Sequence, residues 1–308
     1  MNAKISFRKF ITFCLLTVAI PGCKRQKLIK RNLDVSHVQL PRHTHVHDTP
    51  KAEPMLTVWI HGTRLFKLLA HPIDEYIHAA PPTGLHPVTS LTKKHRLLSV
   101  AKALAQVDPE RFPLDHFYVF GWSGNLSFKE RELAAKKLYA ELKILLAHYT
   151  ETHGFTPKIR LITHSHGGNV ALNLAKCKNP ADGITIAQAV LLASPVQKET
   201  VDYIHDPFFE KVYALYSTLD NLQVLDPQGM YKTEHNTKRH LAFSQRRFPS
   251  YPHLRQAKIK INGHGIPHIG FLTRGFINYL PTVLDTLDTW ESENPSQQNQ
   301  ERLLLLHT

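Results

Sequence analysis

The chain has 308 residues, of which 42% are hydrophobic and 20% charged, enough to bury a full core and unlike a disordered or collagenous polymer. The formal net charge is +13. Residues 1–54 hold 10 Lys/Arg against 3 Asp/Glu, so seven of those thirteen charges precede the segment that patterns as a folded domain. No RRM-like, helix-turn-helix or zinc-finger pattern accompanies the charge, which argues against a nucleic-acid partner.

The N-terminus reads as an export signal. Lys4, Arg8 and Lys9 precede an apolar run over residues 10–20, shorter than the roughly 20 residues a membrane-spanning helix needs. The run ends in Ile20-Pro21-Gly22-Cys23. This resembles a bacterial lipobox, whose Cys becomes lipid-modified, although Pro21 is atypical there. The resemblance implies a signal peptide over residues 1–22, a lipid on Cys23, and an exported lipoprotein anchored to the membrane of the bacterial cell envelope. Simple secretion is the alternative. The flanking basic residues suit anionic lipid, at about 1 kcal/mol each near the surface. Cys14 would leave with the signal, so Cys177 would be the one remaining thiol. Residues 23–54 read as a basic, Pro-punctuated tether. His43, His45 and His47 lie within it, but a tether gives a metal no preorganised geometry. No metal or other cofactor is expected.

From Met55 strands and helices alternate, the pattern of a mainly parallel twisted sheet covered by helices on both faces. Strands are expected at residues 55–60, 116–120, 158–163, 187–193, 211–216 and 256–261. Helices are expected at residues 97–106, 128–153 and 275–287. Ser127 and Glu130 are placed as a capping box for the second helix, and Gly154 as its stop. The folded domain would span residues 55–290, with a polar tail over 291–308.

Between a strand and a helix lies Thr163-His164-Ser165-His166-Gly167-Gly168. A serine on such a turn sits in strained backbone, so residues two positions away must be small. Gly167 satisfies this; Thr163 stands where glycine is usual. Downstream, Asp220 follows the 211–216 strand, with Asp226 as its alternate. His268 follows the 256–261 strand and is trailed by Ile269-Gly270-Phe271-Leu272, with His264 as the alternate. His61-Gly62-Thr63 follows the first strand of the domain. Ser123, in Gly121-Trp122-Ser123-Gly124, has no helix starting directly after it and reads as pocket wall.

Together these motifs resemble the α/β-hydrolase superfamily, nearest its lipase and esterase branches, over about residues 55–290. The resemblance implies an α/β-hydrolase fold with a catalytic triad in the order Ser165, Asp220, His268. It also implies an oxyanion hole from the Thr63 and His166 backbone N–H groups. The implied chemistry is hydrolysis of a carboxylic ester, from a lipid or another acyl-ester small molecule, through an acyl-enzyme. A non-catalytic envelope lipoprotein using the fold as a binding surface, or an acyltransferase, are the alternatives. The long connections 64–115 and 223–255 carry Phe243, Phe248, Tyr251, Arg246 and Arg247. They are expected to form a lid or an apolar rim with basic residues, suited to acyl chains with anionic heads.

Overall fold

A computed structural model of the chain describes residues 37–40, 55–64, 80–224, 246–293 and 302–307. The backbone is organised around a ten-stranded sheet. From one edge its order is β1 (His37–Leu40), β10 (Arg302–Leu306), β8 (Leu254–Ile261), β7 (Val212–Tyr216), β6 (Gln188–Leu192), β5 (Lys158–His164), β2 (Met55–Ile60), β4 (Phe117–Gly121) and β3 (Gly84–Pro87). The short β9 (His264–Gly265) folds back on β8. β3 and β9 run antiparallel to their neighbours and all other pairings are parallel.

A parallel sheet must be covered on both faces, so its strands are apolar at successive positions instead of alternating with polar ones. That is the observed pattern. In β6, Ala189 and Leu191 enter one buried cluster, and Val190 and Leu192 enter the other. The first cluster is roofed by α2 (Phe128–His153), α3 (Gly167–Leu172) and α4 (Leu174–Cys177). The second is roofed by α1 (Arg96–Val107), α5 (Arg274–Ile277) and α6 (Leu280–Glu293). In α2, Ala134, Ala135, Leu138, Leu142 and Tyr149 are buried along one stripe while Ile144 is exposed. The Ser127 hydroxyl accepts from Glu130 N–H at 3.3 Å, and Gly154, at φ 76°, ends the helix. The capping box is only half made, because Ser127 N–H donates to Asn125 O.

Three departures from the sequence-based expectation have simple causes. The last helix is split into α5 and α6, with Pro281 at the second position of α6, where a missing N–H breaks no helical bond. β3 and β9 are antiparallel strands of four and two residues, too short for a periodic pattern. β1 falls in the segment expected as tether, and β10 in the segment expected as polar tail. Leu304 and Leu306 are fully buried in the second cluster. Residues 1–22, Cys23 and the 43–47 histidines lie outside the described residues. Among the described residues no helix is long and apolar enough to cross a membrane.

If β10 is an integral strand, Leu304→Ala should cost about 2–5 kcal/mol of unfolding free energy, the usual cost of such a buried truncation. The half-buried Leu305→Ala should cost clearly less. Equal, small effects in denaturant titrations would show that this strand does not contribute to the fold.

Candidate active site

Ser165 stands between β5 and α3 with φ 55°, a left-handed conformation that a side-chain-bearing residue adopts only under constraint. The constraint is visible in what surrounds it. Ser165 N–H donates to Leu192 O at 2.9 Å, and Ser165 O accepts from Gly168 N–H at 3.0 Å. A Cβ on Gly167 would lie 2.5 Å from Ile60 O and 2.7 Å from His61 O. One on Gly168 would lie 2.1 Å from the Ser194 hydroxyl. The bend can therefore press against the end of β2 only with glycine at 167, and against Ser194 beyond β6 only with glycine at 168. Thr163, where glycine is usual, is fully buried and turns its hydroxyl to Val190 O at 3.2 Å, so its polar atom is satisfied.

The loop after β2 comes equally close. A Cβ on Gly62 would meet Ser165 Cβ at 2.8 Å and His164 O at 3.0 Å. His61 holds this loop. Its Nδ1–H donates to Gly62 O at 2.7 Å, and its Nε2 accepts from Trp122 N–H at 3.1 Å. The Trp122 indole N–H returns a bond to His61 O at 2.8 Å. Among the described residues, neither the Thr63 nor the His166 backbone N–H has a hydrogen-bond acceptor. Two such donors beside a serine are free to meet an incoming oxygen.

On the other side of Ser165, His268 Nδ1 and Asp220 Oδ2 are 2.7 Å apart, with the carboxylate fully buried and the ring nearly so. Asp220 Oδ1 accepts from Gln223 N–H at 3.0 Å, so both carboxylate oxygens are used. The two loops carrying this pair are fastened together. The Ser217 hydroxyl accepts from Ile266 N–H at 2.9 Å, and Arg246 donates to Ser217 O at 3.1 Å and to Asp220 O at 2.7 Å. His268 is also tied to β5. His164 Nε2–H donates to His268 O at 3.0 Å, and the two rings lie 4.6 Å apart. His264, by contrast, is exposed on the hairpin β8–β9, whose turn is Asn262-Gly263 with φ 50° and 78°. Asp226 lies outside the described residues. Among the described residues there is no group of three or more His, Cys, Asp or Glu able to hold a metal.

A serine lifted by a strained strand-to-helix bend at the end of a central parallel strand, with an imidazole on a loop after a later strand, is the architecture of one superfamily. The fold is the α/β-hydrolase fold. The PGAP1-like alpha/beta domain family matches residues 113–238 of this hydrolase-fold chain. Lipase B of Aspergillus fumigatus is similar in structure, at 11% identity over 77% of this chain with a TM-score of 0.39. This chain spans about half of that protein's length, 52%. No curated protein matches the chain.

The rim of this α/β-hydrolase differs from the sequence-based picture. Phe248 is buried and Tyr251 packs against the same sheet-face cluster, so both cover the sheet edge. Phe243 lies outside the described residues. Exposed apolar side chains occur instead at Leu219 and Ile269, next to Asp220 and His268. The contacts of His164, Ser217 and Arg246 carry no signal in the linear sequence, because each joins loops far apart along the chain.

Burial controls the histidines around Ser165. Desolvation, helped by Arg64, pushes His61 down to about 3. Desolvation also pushes His164 and His166 well below the ordinary histidine value, assisted by His268 for the first and by Arg131 and His268 for the second. All three rings are neutral at pH 7. In the unfolded chain they protonate near 6.5, so below that pH the unfolded state binds more protons than the folded one. The neutral rings' contribution is therefore intact above 6.5 and is lost as pH falls, by up to about 1.4 kcal/mol per pH unit for each ring. Melting temperature should fall steeply from pH 7 to pH 5; a flat profile would contradict the buried neutral assignment.

Proposed function

We propose that this chain is a serine hydrolase that cleaves a carboxylic ester. The observation carrying the proposal is the buried 2.7 Å His268–Asp220 pair on the loops beside a strained Ser165. In this reading Asp220 holds Nδ1 of His268 protonated, leaving Nε2 to take the proton of the Ser165 hydroxyl as its oxygen attacks the ester carbonyl. The carbonyl oxygen becomes negative and is held by the Thr63 and His166 N–H groups. Its collapse breaks the bond to the alkoxy oxygen, and Nε2 passes the proton to that leaving alcohol. Water, deprotonated by the same nitrogen, then attacks the acyl-Ser165 carbonyl and releases the acid. His166 supplies only its backbone, since its ring is buried and neutral beside Asn169. His164 positions His268 by its backbone carbonyl.

A fluorophosphonate probe tests the nucleophile. The folded wild type should label and Ser165→Ala should not. Asp220→Asn should cut turnover of p-nitrophenyl esters by roughly 10⁴-fold, because the wrong tautomer is presented. His268→Ala should do similar damage, whereas the exposed His264 should tolerate alanine. Unlabelled wild type, or a crippling His264→Ala, would refute the assignment.

We also propose, from the sequence alone, that residues 1–22 are removed and Cys23 is lipidated, anchoring the protein to the bacterial envelope membrane. Radiolabelled palmitate should enter the wild type in a bacterial host and be lost in Cys23→Ser; equal labelling of both would discard the anchor.

A further inference from the structure

Two side chains follow Gly62 on the loop after β2, and each has a buried polar atom without a partner. They are the Thr63 hydroxyl oxygen and the Nε of Arg64. Among the described residues the Arg64 guanidinium has neither a hydrogen bond nor an ion pair. Arg246, on the acid loop, and Arg96, on Leu272 O, are by contrast engaged. A buried donor without a partner costs about 1–3 kcal/mol, more if charged, so the sequence would shed it unless something fills it.

Arg64 is held in place. Its N–H donates to Gly124 O at 2.8 Å, and Gly124, at φ 67°, leaves room for its side chain, since a Cβ there would lie 2.5 Å from Arg64 Cγ. The same guanidinium helps keep His61 neutral, which places its charge close to the oxyanion loop. The Asp220 carboxylate is consumed by His268 and by Gln223 N–H. Among the described residues this leaves the Arg64 guanidinium as a cation beside the site with no anion against it.

Sheet order assigns that cation to one part of the substrate. The β2 and β4 loops lie on one side of β5, and the β7 and β8 loops on the other. The leaving alcohol must lie towards His268, which protonates it. The carbonyl oxygen faces the Thr63 and His166 N–H groups, so the acyl group takes the remaining direction, away from His268 on the side of β5 that carries Arg64.

We propose that Arg64, assisted by the Thr63 hydroxyl, binds an oxyanion, a carboxylate or a phospho group, carried on the acyl part of the ester. The proposal rests on the serine-hydrolase reading and names its substrate class, an acyl group bearing its own negative charge.

The test is a ratio measured on the full chain. kcat/KM for p-nitrophenyl hemiglutarate is divided by that for the neutral p-nitrophenyl butyrate, and a 4-phosphonobutyrate ester distinguishes phospho group from carboxylate. Wild type should favour at least one anionic ester. Arg64→Gln should lower that ratio by roughly 10- to 100-fold, the scale of one charge-assisted hydrogen bond. Arg64→Lys, which keeps the charge and serves if the glutamine variant misfolds, should lower it less. A ratio equal to one in the wild type, or unchanged in both variants, overturns the proposal while leaving ester hydrolysis intact. If the wild type neither labels with fluorophosphonate nor cleaves any ester, the hydrolase reading fails by itself. Glutarate and phenylphosphonate are then titrated against wild type and Arg64→Gln by calorimetry. Binding that depends on Arg64 upholds the anion site, and no binding removes it.

Discussion

Everything at the candidate site follows from one close approach: the end of β2 pressed against the bend that carries Ser165. Carbonyl oxygens of Ile60 and His61 lie where a side chain at position 167 would begin, and Ser165 Cβ lies where one at position 62 would begin. The two glycines remove Cβ atoms from opposite sides of one contact. Because they do, the strained φ of Ser165 costs about 1–3 kcal/mol yet persists, over-determined by the β6 carbonyl that accepts its N–H. Among the described residues, the backbone N–H groups of Thr63 and His166, beside this contact, have no acceptor.

The second organising choice is charge. Histidines surround the bend, yet His61, His164 and His166 are stripped of water and used as neutral hydrogen-bonding struts. Each has a defined job: His61 locks Trp122, His164 holds the His268 backbone, and His166 packs against Asn169. Only His268 has a buried carboxylate against its ring. The other three rings cannot take a proton without a desolvation penalty. Identity alone does not separate a working histidine from a structural one; the environment does.

Much of this was legible in the linear sequence, for stated reasons. Ser165 and Gly167 were readable because the bend needs a small residue two positions on, and the flanking strand and helix are strongly patterned. Asp220 and His268 were readable because they follow well-marked strands. The β1–β10 edge was not, since a four-leucine run inside a polar segment could belong to a helix, a strand or a tail, and only pairing with β8 decides. Nor were His164 and Arg246 readable as supports, because hydrogen bonds to a backbone carbonyl carry no residue preference on the acceptor side. Their partners lie 104 and 26 residues away. The half-made cap at Ser127 shows the same limit in a local motif: the residue types permit the reciprocal bond, but the backbone of Asn125 takes the donor first.

The outer edge of the sheet sets an order of assembly. β1 has one strand neighbour, β10, which is made at the other extreme of the chain and itself leans on β8. During synthesis β1 must therefore wait, unpaired, until β10 has been made. Closure of this edge therefore comes after every other described strand of the sheet has been made, and until then the strands around Ser165 can be in place while the flank at β8 stays open.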